Sequence, residues 1–206
     1  MSLASVEFVV HWIGGLTAFA ALGIVLAGIW RGMRRPAGRT TGRAAGWLRS
    51  PVFYLLSTAL FISMSVALWC PLPLTLQTQA RAWALALGSL AYFPGIAFIL
   101  WGRLALGKMY FVSTSLGAQL YADHQLVTRG PFAIVRHPMY LGLISAAFGS
   151  LLIYRTWTIA LFALCAPFLL LRARREEQAL AVQFGEEWQA YCRRVPAFLP
   201  CLRKDG

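Results

Sequence analysis

The side chains able to do chemistry crowd into one stretch of an otherwise apolar chain. Between Asp123 and Gly142 lie His124, Arg129, Arg136, His137 and Tyr140, with Gly130, Pro131 and Pro138 among them. Two of the three histidines in the protein are here, just ahead of an apolar run whose entrance needs none of these groups. The spacing sets His124, Arg136, His137 and Tyr140 at a water–membrane boundary, where a ligand can be bound and acted on. A second group follows downstream. Arg172 and Glu176 are four residues apart and share a helix face. Glu176 and Glu177 hold two of only seven acidic side chains, which is costly beside a bilayer. An i,i+4 ion pair is worth only a few tenths of a kcal/mol. The spacing alone therefore fits either a juxtamembrane charge cluster or a helix that presents a cation and a carboxylate to a cleft. A metal site built from His124, His137, Glu176 and Glu177 is disfavoured, because no pair has ligand spacing within one helix.

The elements that must position these groups follow from the apolar blocks. The chain has 206 residues, 59% of them hydrophobic and 13% charged, with a mean hydropathy of +0.62. A soluble domain is nearer a quarter charged, so the expected fold is all-α: an integral membrane bundle of about five transmembrane helices with a C-terminal cytoplasmic helical segment. The expected spans are Val6–Trp30, Pro51–Trp69 and Trp83–Trp101, the last with Pro94-Gly95 inside and therefore kinked. Met139–Tyr154 and Trp157–Leu171 follow as a tight hairpin, each arm about 24 Å or less at the helical rise. Pro131 and Pro138 fix φ and bias their neighbours to extended forms, so residues 126–137 read as a rigid, turn-rich segment with Pro138 opening a helix. Gly185 should end the tail helix, with a short helix at Glu186–Arg193 to follow. His11, alone on an apolar helix, reads as a core or interfacial residue.

The net charge of +12 comes almost entirely from arginine. The basic residues flank spans and do not line one soluble face, which points to loops beside anionic lipid and away from nucleic acid. Arg31–Arg49, the segment 102–137 and the tail share the cytoplasmic side by this rule, leaving Arg81 and Arg155 on the other. An arginine- and alanine-rich chain of this kind suggests a bacterial inner membrane. Cys70, Cys165, Cys192 and Cys201 have no metal-type spacing, so neither zinc nor disulfides are expected. Met1–Glu7 has no basic residues and the first apolar run is too long for a cleavable signal.

The motifs carry a resemblance. Gly130-Pro131-Phe132 with Arg136-His137-Pro138-Met139-Tyr140-Leu141-Gly142, then Arg172, Glu176-Glu177, Leu180, Phe184-Gly185-Glu186-Glu187-Trp188, Tyr191 and Arg194-Val195-Pro196, resembles the isoprenylcysteine carboxyl methyltransferase and phospholipid methyltransferase superfamily. The likeness covers roughly residues 101–200, so a single domain is expected in which residues 1–82 carry no signature and 83–206 form the cofactor-binding and catalytic part. The resemblance implies an integral membrane methyltransferase that uses S-adenosyl-L-methionine. It implies that His124, Leu126, Val127, Phe132, His137, Pro138, Met139, Tyr140 and Glu176 line the cofactor pocket, and that Arg172, with Glu176 the catalytic pair, faces the acceptor. Phe132 stands where the family often has tyrosine, so any hydroxyl contact there is lost. The acceptor would be lipophilic or small and enter from the bilayer, and no partner protein is implied. A carboxylate acceptor needs no base and could be oriented by Arg172. A thiol or amine must give up a proton, with Glu176, Glu177 or a histidine as candidates. The rival readings are an NADPH-dependent membrane sterol-type reductase of similar fold and a non-catalytic membrane protein.

Overall fold

A computed structural model describes residues 2–33, 37–41, 50–110, 113–114, 117–121 and 124–198. Most of the first basic linker, Asp123, Leu199-Pro200 and Cys201 lie outside them. Among the described residues seven α-helices run in chain order: α1 (Leu3–Met33), α2 (Pro51–Ala67), α3 (Thr78–Leu106), α4 (Pro138–Tyr154), α5 (Trp157–Cys165), α6 (Leu169–Phe184) and α7 (Glu186–Arg194). Three helical stretches are long and apolar enough to cross a membrane: Leu3–Arg31, Thr78–Met109 and Trp157–Phe184. Leu55–Ala67 and Pro138–Tyr154 are shorter apolar helices.

The second arm of the expected hairpin is longer than the sequence indicated. It does not stop at Leu171: a single turn of 3-10 helix at Ala166–Phe168, containing Pro167, joins α5 to α6, and the helical stretch continues to Phe184. Arg172, Glu176 and Glu177 therefore stand on an extension of the hairpin itself.

The fold is helical as expected, with one small sheet in its polar connections. Three short strands, β1 (Ala37–Thr41), β2 (Ser113–Thr114) and β3 (Gly117–Tyr121), form an antiparallel sheet in the order β1-β3-β2. They come from polar connections outside the apolar runs, where backbone donors and acceptors need partners that no helix supplies. Thr41 pairs with Ala118 and Ala37 with Tyr121. The linkers after α1 and after α3, both assigned to one side by their charge, thus meet at one end of the bundle.

The centre is the α3–α4 pair. Gly88, Gly95 and Gly102 recur every seven residues on α3, and Gly142 and Gly149 do the same on α4. A Cβ at Gly95 would stand 2.7 Å from the carbonyl oxygen of Gly142, and one at Gly149 only 2.5 Å from the Tyr92 nitrogen. Small residues let the two backbones touch, as in many membrane helix pairs. At Gly102 the same closeness admits Met139, so this packing sets where the first turn of α4 sits.

Helix α1 lies on that pair through Leu3, Val6 and Val10, against a core of Leu85, Tyr92, Ala146 and Ile153. Tyr92 donates to the Gly14 carbonyl at 2.7 Å and Tyr154 to the His11 carbonyl at 2.9 Å. The His11 ring bonds the Ile153 carbonyl at 3.0 Å and stacks on Tyr154, which is the structural role expected of it. At the far end of α4 from His137, buried Glu7 holds both Arg81 and Arg155. Tyr154→Phe removes one of these α1–α4 bonds without emptying the site. It should cost about 1 kcal/mol, read as a drop of a few degrees in apparent Tm of the purified protein.

Candidate functional site

The site begins with how Gly130–Tyr140 folds. Gly130 has φ of +64°, a left-handed conformation, and a Cβ there would come within 3.3 Å of Ala105. Pro131 follows in a 3-10 turn, Gly130–Ala133, and Pro138 occupies the first turn of α4 after His137, as the proline spacing indicated.

Ile134 and Val135 N–H pair locally with the Pro131 carbonyl, but the next two peptide donors pair at long range. Arg136 N–H donates to the Pro196 carbonyl at 2.8 Å and His137 N–H to the Ala197 carbonyl at 3.0 Å. The chain after α7 is thereby strapped along the motif. The Arg136 guanidinium completes the strap by bonding the carbonyls of Cys192 (3.3 Å) and Val195 (2.8 Å). These are late carbonyls of a helix C-terminus, which lack helical donors and favour a cation. Tyr191 donates to the Phe132 carbonyl at 2.6 Å. Burial pushes the phenol of Tyr191 up, so it remains a protonated donor at neutral pH.

The adjacent glutamates of α6 have separate surroundings. Glu177 accepts from Arg136 Nη2 at 2.9 Å and lies 3.0 Å from His137 Nε2. It braces the motif. Glu176 instead accepts from the Tyr140 hydroxyl and lies 3.6 Å from Arg172 Nε, while the Arg172 guanidinium stands 5.5 Å from the centre of the Tyr140 ring. His137 stacks with Tyr140 and with Phe198, at ring-centre distances of 5.7 and 5.2 Å.

Around these groups opens one cleft with about 820 Å³ of empty space, continuous with solvent. His124, Leu126 and Val127 form part of its wall, and Phe132 another part. His137, Pro138, Met139 and Tyr140 line it from the start of α4, and Arg172 and Glu176 from α6. Every residue that the resemblance assigned to the cofactor pocket or the catalytic pair therefore lines this cleft. Glu177 is not on its wall.

Several lining residues had no site role in the sequence, although Leu180, Trp188 and Tyr191 belong to its tail motif. Leu106 ends α3 and Tyr110 follows the 3-10 turn Gly107–Met109 beyond it, while Leu180, Trp188 and Tyr191 come from the tail. Trp188 and Tyr191 pack with Val195 as a small core of their own; their spacing of three in a charged helix was the available signal. For Tyr110 and the bracing role of Arg136 no such signal existed, because each depends on a neighbour distant in sequence. The cleft suits a ligand with charged and apolar parts: its wall carries the Glu176 carboxylate, the Arg136 and Arg172 guanidinium groups, aromatic rings, and the apolar Leu126, Val127 and Leu180.

Comparison with known proteins bears on what that ligand is. The phospholipid methyltransferase family matches residues 83–187, about half of the chain. A methanethiol S-methyltransferase of Pseudomonas deceptionensis is 27% identical over 160 residues, 74% of this chain and 60% of that protein. The protein-S-isoprenylcysteine O-methyltransferase of Schizosaccharomyces pombe is 35% identical over 82 residues, 39% of this chain and 35% of the relative. A Delta(14)-sterol reductase of Mus musculus is 39% identical over 75 residues, which is 35% of this chain but 18% of the reductase. The chain thus matches less than two thirds of the length of each of these relatives.

Proposed function

The chain belongs to the phospholipid methyltransferase family, and from that premise we propose that it is a membrane methyltransferase that moves a methyl group from S-adenosyl-L-methionine to a lipophilic or small acceptor. The observation that carries this reading is that His124, Tyr140, Arg172 and Glu176, drawn from three separate parts of the chain, line one cleft.

The donor set fits the cofactor. Glu176 offers a carboxylate to a cationic amino or sulfonium group, Tyr140 an aromatic face to the same charge, and Leu126 and Val127 an apolar wall to an adenine. When bound, the cofactor would supply a methyl group on a sulfonium, for transfer by in-line displacement. The chain's part is alignment and the exclusion of water. His124, Leu126, Val127, Phe132, His137, Pro138, Met139, Tyr140 and Glu176 hold the cofactor in this reading, and Arg172 faces the acceptor. With Glu177 engaged by Arg136 and His137, Glu176 and His124 are the groups left to take a proton from a thiol or amine. The acceptor comes from the bilayer and the cofactor from the cytoplasmic side. A small thiol is the first acceptor to try, since the likeness to the methanethiol enzyme extends over 74% of this chain.

The test is thermal stabilisation by S-adenosylmethionine, S-adenosylhomocysteine and NADPH in parallel. A ligand at about a hundred times its Kd stabilises the folded state by about 2.7 kcal/mol. A rise in apparent Tm with the two adenosyl compounds and none with NADPH is expected. A rise with NADPH alone would transfer the protein to the reductase reading. Arg172→Ala should lower kcat/KM about tenfold or more while leaving the Kd for S-adenosylhomocysteine within about twofold, the split expected of a group that acts on the acceptor alone. Loss of S-adenosylhomocysteine binding in that variant would move Arg172 to the cofactor side.

A further inference from the structure

A buried arginine beside the cleft has no part in the reading above. Arg103, on the last turn of α3, is 9% exposed. Burying a guanidinium at the end of a membrane helix is expensive, and such residues are kept for a task. Its Nη1 donates to the Gly107 carbonyl at 3.1 Å, and its guanidinium carbon stands 4.4 Å from the centre of the Tyr110 ring. On the other side is α1. A Cβ placed on Gly28 would lie 2.3 Å from Arg103 Nη2, 2.5 Å from Nε and 2.8 Å from Cζ. The guanidinium is thus packed against Gly28, and a side chain there would have to push it aside.

Tyr110 is what this stack supports. It lines the cleft together with Leu106. Arg172 and Glu176 are both near enough to influence its phenol electrostatically, and burial pushes that phenol up, so it is a neutral hydrogen-bond donor at working pH. Tyr110 therefore lies near the Arg172–Glu176 pair on the cleft wall. The wall made by His137, Pro138, Met139 and Tyr140 comes from a different element.

We propose that Tyr110 contacts the methyl acceptor, and that Arg103, seated against Gly28, is the positioning residue that holds the Tyr110 ring at the cleft. This gives the N-terminal helix a task in acceptor recognition although its sequence carries no motif. The proposal rests on the methyltransferase reading and adds to it which residues define the acceptor subsite. The ring offers an apolar face and a hydroxyl together, which suits an acceptor with a short polar head on an apolar body.

The test compares wild type with Tyr110→Ala, Tyr110→Phe, Arg103→Met and Gly28→Ala. The acceptor is whichever of methanethiol, an S-prenylated cysteine and phosphatidylethanolamine the wild type methylates best. S-adenosylhomocysteine affinity is measured separately by calorimetry. Tyr110→Ala should raise the acceptor KM about tenfold or more, with the S-adenosylhomocysteine Kd within about twofold of wild type. Gly28→Ala and Arg103→Met should each raise the same KM about three- to tenfold, and Gly28→Ala should add nothing in the Tyr110→Ala background, since both act through one ring. An unchanged KM in Tyr110→Ala, a parallel loss of S-adenosylhomocysteine binding, or additive effects of Gly28→Ala and Tyr110→Ala would each overturn the proposal and reduce Arg103 to a helix-end brace. Should Tyr110→Ala fail to fold, the acceptor KM of Gly28→Ala decides by itself. A wild type that does not bind S-adenosylhomocysteine overturns the methyltransferase reading instead, so the two failures are distinguishable.

Discussion

Glu176→Ala should weaken binding of S-adenosylhomocysteine by about 30- to 100-fold while the protein still folds. Among the described residues Glu176 is the only acidic side chain on the cleft wall, and it is poised: the Tyr140 hydroxyl donates to it and Arg172 Nε lies 3.6 Å away. Hydrogen bonds to a charged group contribute about 1.5–3 kcal/mol each, and every 1.4 kcal/mol is tenfold in affinity. In the proposed reading, removing the carboxylate takes away the cofactor's counter-charge, and it releases the Tyr140 hydroxyl. Glu176→Gln keeps the acceptor oxygen for Tyr140 but not the charge, so it should fall between wild type and Glu176→Ala. Calorimetric titration of detergent-purified variants checks the order. Because Glu176 does not hold the C-terminal strap, its apparent Tm without ligand should move by only a few degrees. Glu176→Ala binding S-adenosylhomocysteine as the wild type does would remove Glu176 from the cofactor site.

Glu177→Ala should behave in the opposite way, unfolding the site more than altering it. One carboxylate oxygen there serves both the Arg136 guanidinium and the His137 ring. Those side chains are only 14% and 6% exposed, whereas Glu177 is 25% exposed, so solvent screens part of the interaction. Breaking a buried pair leaves the surviving charge uncompensated and costs up to about 3–5 kcal/mol; with partial exposure about 2–3 kcal/mol is expected. For a chain of this size that is a fall of roughly 5–10 °C in apparent Tm. The released Arg136 also loosens the carbonyls of Cys192 and Val195, so limited proteolysis after α7 should quicken. Glu177→Gln, which retains an acceptor oxygen, should recover part of the loss. Saturating S-adenosylhomocysteine should recover part as well, by binding only the folded form. A Glu177→Ala protein as stable as wild type would mean that the strap is held by its backbone bonds alone.

The contrast between these neighbouring glutamates marks the limit of the sequence. The amino-acid order by itself determined a membrane-type helical protein, from its apolar blocks. It determined the rigid turn before α4 and the helix start at Pro138, because proline fixes φ locally, and the end of α6 at Gly185, where φ is +51°. The motif resemblance also named ten residues that line the cleft, though not Tyr110. Other features needed the tertiary structure. Helical spacing says that Arg172 and Glu176 share a face, but not which way that face turns; packing of α4 and the strap after α7 decides that Glu176 meets Tyr140 while Glu177 meets Arg136 and His137. The pairing of β1 with β3 joins polar segments some 80 residues apart, and no local pattern announces it. The continuity of Trp157–Phe184 through Pro167 was hidden because a proline and a run of charges look like an ending, yet a single 3-10 turn carries the helix past them. Tyr110, Arg103 and Gly28 come together only because α1 crosses the end of α3. A side chain's type is written in the sequence, but its partner across the bundle is chosen by which backbones can approach closely enough, and that is a property of the packed whole.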